Sequence, residues 1–357
     1  MKIQTLQFGE VGPLLNRRID FTDDWSGEVG ARILFSGPNG CGKSTVLRAV
    51  AMLWEATGHW LDHRKTLPRS NPVREWLQRW GGVAVVLVDT GLTGSENRAV
   101  GLIFGDTDWC EAQMAERTDV LWLGESVART GKPGNPKREL YVPQGEWLQH
   151  WSDARKKMIL SFEPTTLSNV IFMDAEERRW VAPKRNVGEH IAEQPALRWS
   201  PRYIATEDWR GQLEASLINL KVTQPKRFFR VLEELNLFLT GKEIESDIKP
   251  GENRLRVKLK GLRGQYHNLD ELSAGEHQVL IILYLIARWA EKGCLVLIDE
   301  PDLYLHPSLI SGLLSRIEKL VDEQGGQLLI TSHIPDVWNR FESTGRRIDL
   351  GGECEQG

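Results

Sequence analysis

Residues 37–45 read GPNGCGKST, and this stretch decides the fold of the chain. It matches the pattern G-x-x-x-x-G-K-[ST], in which glycines let the backbone turn its N–H groups toward bound phosphates. The run ARILFSG (31–37) leads into it and predicts a buried strand, and KSTVLRAVAMLWEA (43–56) follows with helical periodicity. A strand, a glycine-rich loop and a helix in this order predict a phosphate-binding loop at a helix start.

Each part of this loop has a predicted task. Lys43 is expected to reach the β- and γ-phosphates of a nucleotide, and the Ser44 hydroxyl is expected to bind Mg²⁺. We interpret Cys41 as a small tolerated side chain rather than a redox-sensitive group. The predicted nucleotide-binding residues are Gly37, Asn39, Gly40, Cys41, Gly42, Lys43, Ser44 and Thr45.

Two further strands end in polar residues. CLVLIDE (294–300) ends in an acidic pair, and ligands bind at the carboxyl ends of strands in open α/β sheets. Asp299 is predicted to hold Mg²⁺, directly or through water, and Glu300 to orient and polarise an attacking water. GQLLITSH (326–333) ends in His333. A lone strand-end histidine is more often structural. Here the phosphate loop and the acidic strand end favour a hydrogen bond from His333 to the γ-phosphate or to the water.

A second loop of small residues, LSAGEHQ (272–278), precedes the apolar run VLIILYLIARWA. Its serine is predicted to cap the next helix, and a capped helix start is itself an anion site. The order of phosphate loop, LSxGE, acidic strand and strand-end histidine resembles the ABC-type ATPases. This resemblance implies that the signature loop, with Ser273, Gly275 and Glu276, contacts the γ-phosphate held by a second subunit. Two chains would then enclose two ATP molecules.

The segment IDEPDLYLHP (298–307) narrows the resemblance to the RecF, SMC-like and OLD-type ATPases, as do FSGPNGCGKST and TSHIPDVW. The resemblance places His306 in the loop that crosses between the two subunits. There it either signals between the sites or stabilises the turn, and both interpretations stay open. The resemblance covers residues 1–55 and about 230–350.

One element of the family pattern has two possible positions. ABC-type sites use a glutamine at a strand end to help bind Mg²⁺ and water. Gln144 in LYVPQGE fits this pattern, and the polar cluster at 174–179 is the competing position. The sequence does not decide between them.

The patterning predicts an α/β fold. Strands and helices alternate at both ends of the chain, which predicts a mostly parallel sheet covered by helices. Together with the resemblance, this implies a P-loop NTPase with an ABC-type ATPase head, an antiparallel β lobe and a mixed α/β insertion. Residues 1–56 are expected to carry the phosphate loop, 57–230 to form an insertion of unknown role, and 231–357 to carry the signature loop, acidic strand and histidine.

Composition limits the class of protein. The chain has 357 residues and a net charge of −4, which argues against a globally basic nucleic-acid binder. Its four cysteines are scattered, which favours a reducing compartment. The start lacks the apolar run of a signal peptide, and the longest apolar run is too short for a bilayer and is interrupted by Arg288. We expect a cytoplasmic protein without a membrane span.

One basic strand leaves nucleic acid open as a partner. RLRVKLK (254–260) alternates strictly and predicts a strand whose basic face carries Arg254, Arg256, Lys258 and Lys260. A solvated sheet face is the preferred interpretation, and contact with a phosphate backbone is the alternative.

The resemblance also bears on function. We find no second set of catalytic residues, no coiled coil and no OLD-type nuclease domain in the sequence. We therefore expect an ATP-hydrolysing head that acts through a separate partner molecule. The expected assembly is a homodimer or higher oligomer that gates a separate effector, such as a nuclease or toxin. Alternatively it acts on DNA or RNA, in DNA repair or defence against phage. The other hypotheses are a transporter's nucleotide-binding subunit, which the long insertion argues against, and an ATP-dependent scaffold without turnover.

Overall fold

The computed structural model places two large sheets, one small sheet and their covering helices. The described residues are 1–92, 98–128, 137–181, 194–203, 205, 213–249, 254–261 and 264–351.

The strands are numbered in chain order. They are β1 Lys2–Gly9, β2 Arg18–Asp20, β3 Arg32–Ser36, β4 Gly82–Val88, β5 Val100–Asp106, β6 Leu121–Val127, β7 Arg138–Tyr141, β8 Val170–Met173, β9 Lys242–Ile244, β10 Arg256–Leu259, β11 Tyr266–Asn268, β12 Leu295–Ile298, β13 Gln327–Thr331 and β14 Arg346–Asp349.

The α-helices follow the same numbering. They are α1 Lys43–His63, α2 Pro72–Leu77, α3 Thr107–Glu116, α4 Glu146–Leu160, α5 Leu213–Thr223, α6 Pro225–Asn236, α7 Ala274–Trp289, α8 Pro307–Glu323 and α9 Pro335–Thr344.

A five-stranded sheet with the order β14-β3-β13-β12-β8 forms the core of the fold. All of its strand pairs are parallel, as predicted. Its inner strands are apolar and buried on both faces, which is typical of parallel sheets covered by helices. Because parallel strands end at one edge, the ends of β3, β13 and β12 lie side by side there. These are the three strands whose ends were predicted to form the site.

A six-stranded sheet with the order β2-β1-β4-β5-β6-β7 forms the second layer. Its pairs are antiparallel except β5 with β6. Strands β4 to β7 come from the segment 57–230, so the predicted β lobe and the predicted insertion share one sheet. The same segment also supplies β8 to the parallel sheet. The division of the chain at 56 and 230 stays a proposal.

Helices α5 to α8 and the small antiparallel sheet β11-β10-β9 lie on the carboxyl-terminal half of the chain. Helix α7 is buried nearly all round, as its apolar sequence predicts, and packs against α6, α8 and β8. Helices α5 and α6 are separate elements because Pro225 cannot continue α5 and instead opens α6.

The run GKPGNPKRE (131–139) is typical of a loop in sequence and falls largely outside the described residues. Its last two residues are not loop, because Arg138 already begins β7. The basic face of β10 is smaller than predicted. Arg254 lies before the strand and pairs with Glu214 and Asp270, so it has a structural role.

Candidate nucleotide-binding and catalytic site

The loop between β3 and α1 has the backbone that phosphate binding requires. Gly37, Gly40 and Gly42 have φ values of 138°, 81° and 99°, a region that residues with a Cβ rarely adopt. A Cβ on Gly42 would lie 2.9 Å from Leu14 Cγ, so close packing adds a second reason for glycine there. Gly42 also stands at the start of α1, so the free N–H groups of that helix face the loop.

Lys43 folds back over this loop. Its buried ammonium donates to the carbonyls of Gly37 and Pro38, both at 2.9 Å, and lies 3.8 Å from Cys41 Sγ. These bonds hold a positive charge at the loop, next to the start of α1. A nucleotide phosphate fits this arrangement, because it would supply the negative charge that the loop itself lacks.

Asp299 connects the phosphate loop with the two strands beside it. Its Oδ1 accepts hydrogen bonds from Ser44 Oγ at 2.9 Å and from Thr331 Oγ1 at 2.6 Å. Oxygen atoms are the ligands that Mg²⁺ prefers, and it usually combines one or two protein ligands with phosphate oxygens. Ser44 and Asp299 therefore fit a nucleotide-bound Mg²⁺. In the described residues, this site included, no group of three or more His, Cys, Asp or Glu side chains is placed to hold a metal.

Glu300 and His333 face each other at the ends of β12 and β13. His333 Nε2 lies 3.3 Å from Glu300 Oε1, and the two side chains are 37% and 30% exposed, so water reaches both. Glu300 has a φ of 47°, which costs about 1–2 kcal/mol for a residue with a Cβ. Its N–H donates to Thr331 Oγ1 at 2.9 Å. A solvent-facing carboxylate on a fixed, strained backbone is suited to orient a water molecule.

The signature loop opens α7 as a capped helix, as predicted. Ser273 Oγ accepts from the Glu276 N–H at 3.3 Å, and the Glu276 carboxylate accepts from the Ser273 N–H at 2.8 Å. Lys242 donates to both oxygens of that carboxylate, at 2.8 and 2.9 Å. Ser273 itself is exposed, so the helix start is open to solvent.

The signature loop lies against the segment that follows the acidic pair. A Cβ on Gly275 would lie 3.0 Å from the carbonyl oxygen of Tyr304, whose side chain is 69% exposed. The next turn contains His306, which is exposed and caps α8, because its Nδ1 accepts from the Ser308 N–H at 3.3 Å. This contact fits the turn-stabilising interpretation of His306, and its signalling role stays a prediction.

The two positions considered for the magnesium-site glutamine lie in different surroundings. Gln144 is exposed in the connection between β7 and α4. Residues 174–179 follow β8, and the Asp299 N–H donates to the Met173 carbonyl at 2.9 Å across the β8–β12 pair. The cluster at 174–179 is thus beside the acidic pair, although it contains no glutamine.

Sequence reasoning missed two side chains that build the site. Thr331 forms hydrogen bonds with both Asp299 and Glu300. The sequence feature that could have identified it is a hydroxyl residue at the end of an apolar strand. Arg178 is buried behind the acidic pair, where its guanidinium donates to the carbonyls of Asp299 and Glu300. Burial lowers the pKa of Arg178 to about 10, so it still carries its charge at neutral pH. Its signal was only its membership of the cluster at 174–179.

The fold and the order of these motifs resemble those of ABC-type P-loop ATPase heads. A family model described as "AAA domain, putative AbiEii toxin, Type IV TA system" matches residues 193–337. The match covers less than half of the chain and includes the signature loop, the acidic pair and His333.

Within the described ranges, no helix is long and apolar enough to cross a membrane.

The chain also has a partial relative among curated proteins. Protein ea59 of Escherichia phage lambda is 38% identical over 76 residues, which make up 20% of this chain and 14% of that protein. The chain therefore spans only a small part of the curated relative that it matches.

Similar solved structures include two heads of SMC proteins. One is an SMC head bound to the C-winged helix domain of ScpA, with 13% identity, coverage of 94% of this chain and 91% of that chain, and a TM-score of 0.46. The other is the SMC head domain from Thermotoga maritima, with 15% identity, coverage of 98% and 94%, and a TM-score of 0.41. At this level of similarity, neither bears on what this chain binds.

Proposed function

We propose that the protein binds and hydrolyses ATP, and that two chains enclose two ATP molecules. The observation that carries the proposal is the convergence of three strand ends. Lys43 and Ser44 follow β3, Asp299 and Glu300 follow β12, and His333 follows β13. Hydrogen bonds of 2.9 Å or less join Ser44 to Asp299 and Asp299 to β13.

Each of these groups has a task in the proposed reaction. The loop N–H groups and Lys43 bind the phosphates, and Mg²⁺ held by Ser44 and Asp299 would neutralise charge on them. Glu300 accepts a proton from water as the water oxygen bonds to the γ-phosphorus. The bond from that phosphorus to the β–γ bridging oxygen breaks, which gives ADP and phosphate. His333, now beside Glu300, would donate to the γ-phosphate.

The signature loop supports the two-chain part of the proposal. Its capped helix start is an anion site, and the Ser273 side chain is exposed. The Tyr304 carbonyl lies against Gly275, and Tyr304 and His306 are exposed in that segment, where the family resemblance expects contact with the partner subunit. A second chain's nucleotide would complete this face.

We expect the Glu300→Gln variant to be a monomer without nucleotide and a dimer with Mg-ATP, because slowed hydrolysis preserves the enclosed ATP. Adding Ser273→Arg should abolish the dimer, since the larger side chain would occupy the anion site. Solution mass by light scattering checks both results. Ser343→Arg, at an exposed serine on α9, is the matched control and should leave the dimer intact. A monomer in every condition would contradict the proposal.

A partner is the last part of the proposal. We infer that ATP-driven dimerisation gates a separate effector or a nucleic-acid partner, in DNA repair or in defence against phage. If nucleic acid is the partner, added DNA or RNA should raise the rate of phosphate release. An unchanged rate with both polymers would exclude nucleic acid as the trigger and leave the effector protein.

A further inference from the structure

The Arg178 guanidinium lies at the carboxyl edge of the parallel sheet, behind the acidic pair Asp299 and Glu300. It is 1% exposed and donates to three backbone carbonyls, those of Met173 at 3.0 Å, Asp299 at 2.5 Å and Glu300 at 2.7 Å. These carbonyls belong to the ends of β8 and β12. A buried guanidinium is tolerated only when its donors are satisfied, so these bonds fix its position.

Gln278 holds Arg178 from the other side. Its Oε1 accepts from Arg178 Nε at 3.0 Å, and its Nε2 donates to the Arg178 carbonyl. Gln278 is buried on α7, near the start of the helix that Ser273 caps. We call this reciprocal pair the Arg178–Gln278 clamp. It ties the signature helix to the backbone of the acidic pair within one chain.

The backbone of Glu300 depends on such support. Its φ of 47° lies in the left-handed region, which residues with a Cβ adopt only when their surroundings hold them there. Thr331 accepts from its N–H, and Arg178 donates to its carbonyl. If one of these bonds is lost, the backbone can relax, and the carboxylate would turn away from its place 3.3 Å from His333.

We propose that the Arg178–Gln278 clamp positions Glu300 for its work on water and links that carboxylate to the signature helix. The bonds of the clamp go to backbone carbonyls and between its own two members, so both are positioning residues rather than catalytic ones. This inference rests on the proposed function, in which Glu300 activates water. It adds a route by which movement of α7 would reach the carboxylate.

Arg178→Lys and Gln278→Met test the clamp. A lysine keeps the charge but cannot reach all three carbonyls, and a methionine keeps the length but removes both amide bonds. We expect Arg178→Lys to lower kcat by roughly 100-fold, because a displaced catalytic group is enough for such a loss. For Gln278→Met we expect about tenfold, since Arg178 keeps its carbonyls. The Kd for Mg-ATP should stay within about threefold in both variants.

Arg198→Lys is the matched control. Arg198 is also buried and donates to two carbonyls, those of Ser161 and Glu163, as well as to Glu291. It lies at the opposite end of β8, where the Val170 N–H donates to the Trp199 carbonyl. We expect both Arg198→Lys and Arg178→Lys to lower the melting temperature, but only Arg178→Lys to lower kcat.

Three results would overturn the inference. One is an unchanged kcat in folded Arg178→Lys and Gln278→Met proteins. Another is a fall in kcat that also occurs in Arg198→Lys, or one that comes with an equal loss of nucleotide affinity. Either result would assign Arg178 a general structural role. If Arg178→Lys does not fold, Gln278→Met decides alone. The third is absence of phosphate release from the unmodified protein, which overturns the proposed function itself and the clamp with it.

Discussion

Glu300→Gln is expected to lower the rate of ATP hydrolysis by about 10²–10⁴-fold, the usual loss when a general base is removed. The amide has the size of the carboxylate but cannot accept a proton from water. The bonds that fix the backbone of residue 300 do not involve its side chain, so its position should be kept. ATP binding should also be kept, because the phosphate loop is untouched. Phosphate release and equilibrium binding of Mg-ATP, measured on the same preparation, check both parts.

The control for this variant is Glu323→Gln, which makes the same chemical change at an exposed position at the end of α8. It should hydrolyse ATP at the unmodified rate. Turnover near the unmodified rate in Glu300→Gln would show that another group takes the proton. The assignment of Glu300 would then be abandoned.

Lys43→Ala is expected to weaken the binding of ATP more than any other single change in the loop. Removing one partner of a buried, hydrogen-bonded charge pair costs about 2–5 kcal/mol, or roughly 30- to 5,000-fold in Kd. Lys43 is buried in the loop and already held there by two carbonyls, so its charge needs little reorganisation to meet phosphate. Isothermal calorimetry with Mg-ATP measures the change in Kd directly.

Lys319→Ala removes the same charge from an exposed position on α8 and serves as the control. Its Kd should equal that of the unmodified protein. If Lys43→Ala bound ATP as tightly as the control, the loop of residues 37–45 would not be the nucleotide site. A folded Lys43→Ala protein, shown by an unchanged melting profile, is needed for either conclusion.

The strands and loops that carry the site could be predicted because their signals are local. The loop at 37–45 contains its own glycines and lysine, and the apolar runs before Asp299 and His333 are continuous in sequence. Parallel strands must end at one edge, so local patterns were enough to bring these side chains together. The capping role of Ser273 is local as well, because Glu276 lies only three positions away.

Other features depend on partners far along the chain, which periodicity does not encode. The pairing of β1 with β4 joins segments that sequence patterns had separated. Arg178 was one charge among several polar residues. Its burial follows from carbonyls at Asp299 and Glu300, more than a hundred positions later. Its pairing with Gln278 also could not be inferred, because no local pattern places that glutamine toward the sheet.

The position of β3 in its sheet has a consequence for synthesis on the ribosome. Its two neighbours, β13 and β14, come from the far end of the described chain. At a synthesis rate of about 5–20 residues per second, β3 emerges roughly 15–60 s before the first of them. During that interval the apolar strand has no hydrogen-bonding neighbour within its sheet. The phosphate loop is therefore made long before the sheet that positions it is complete.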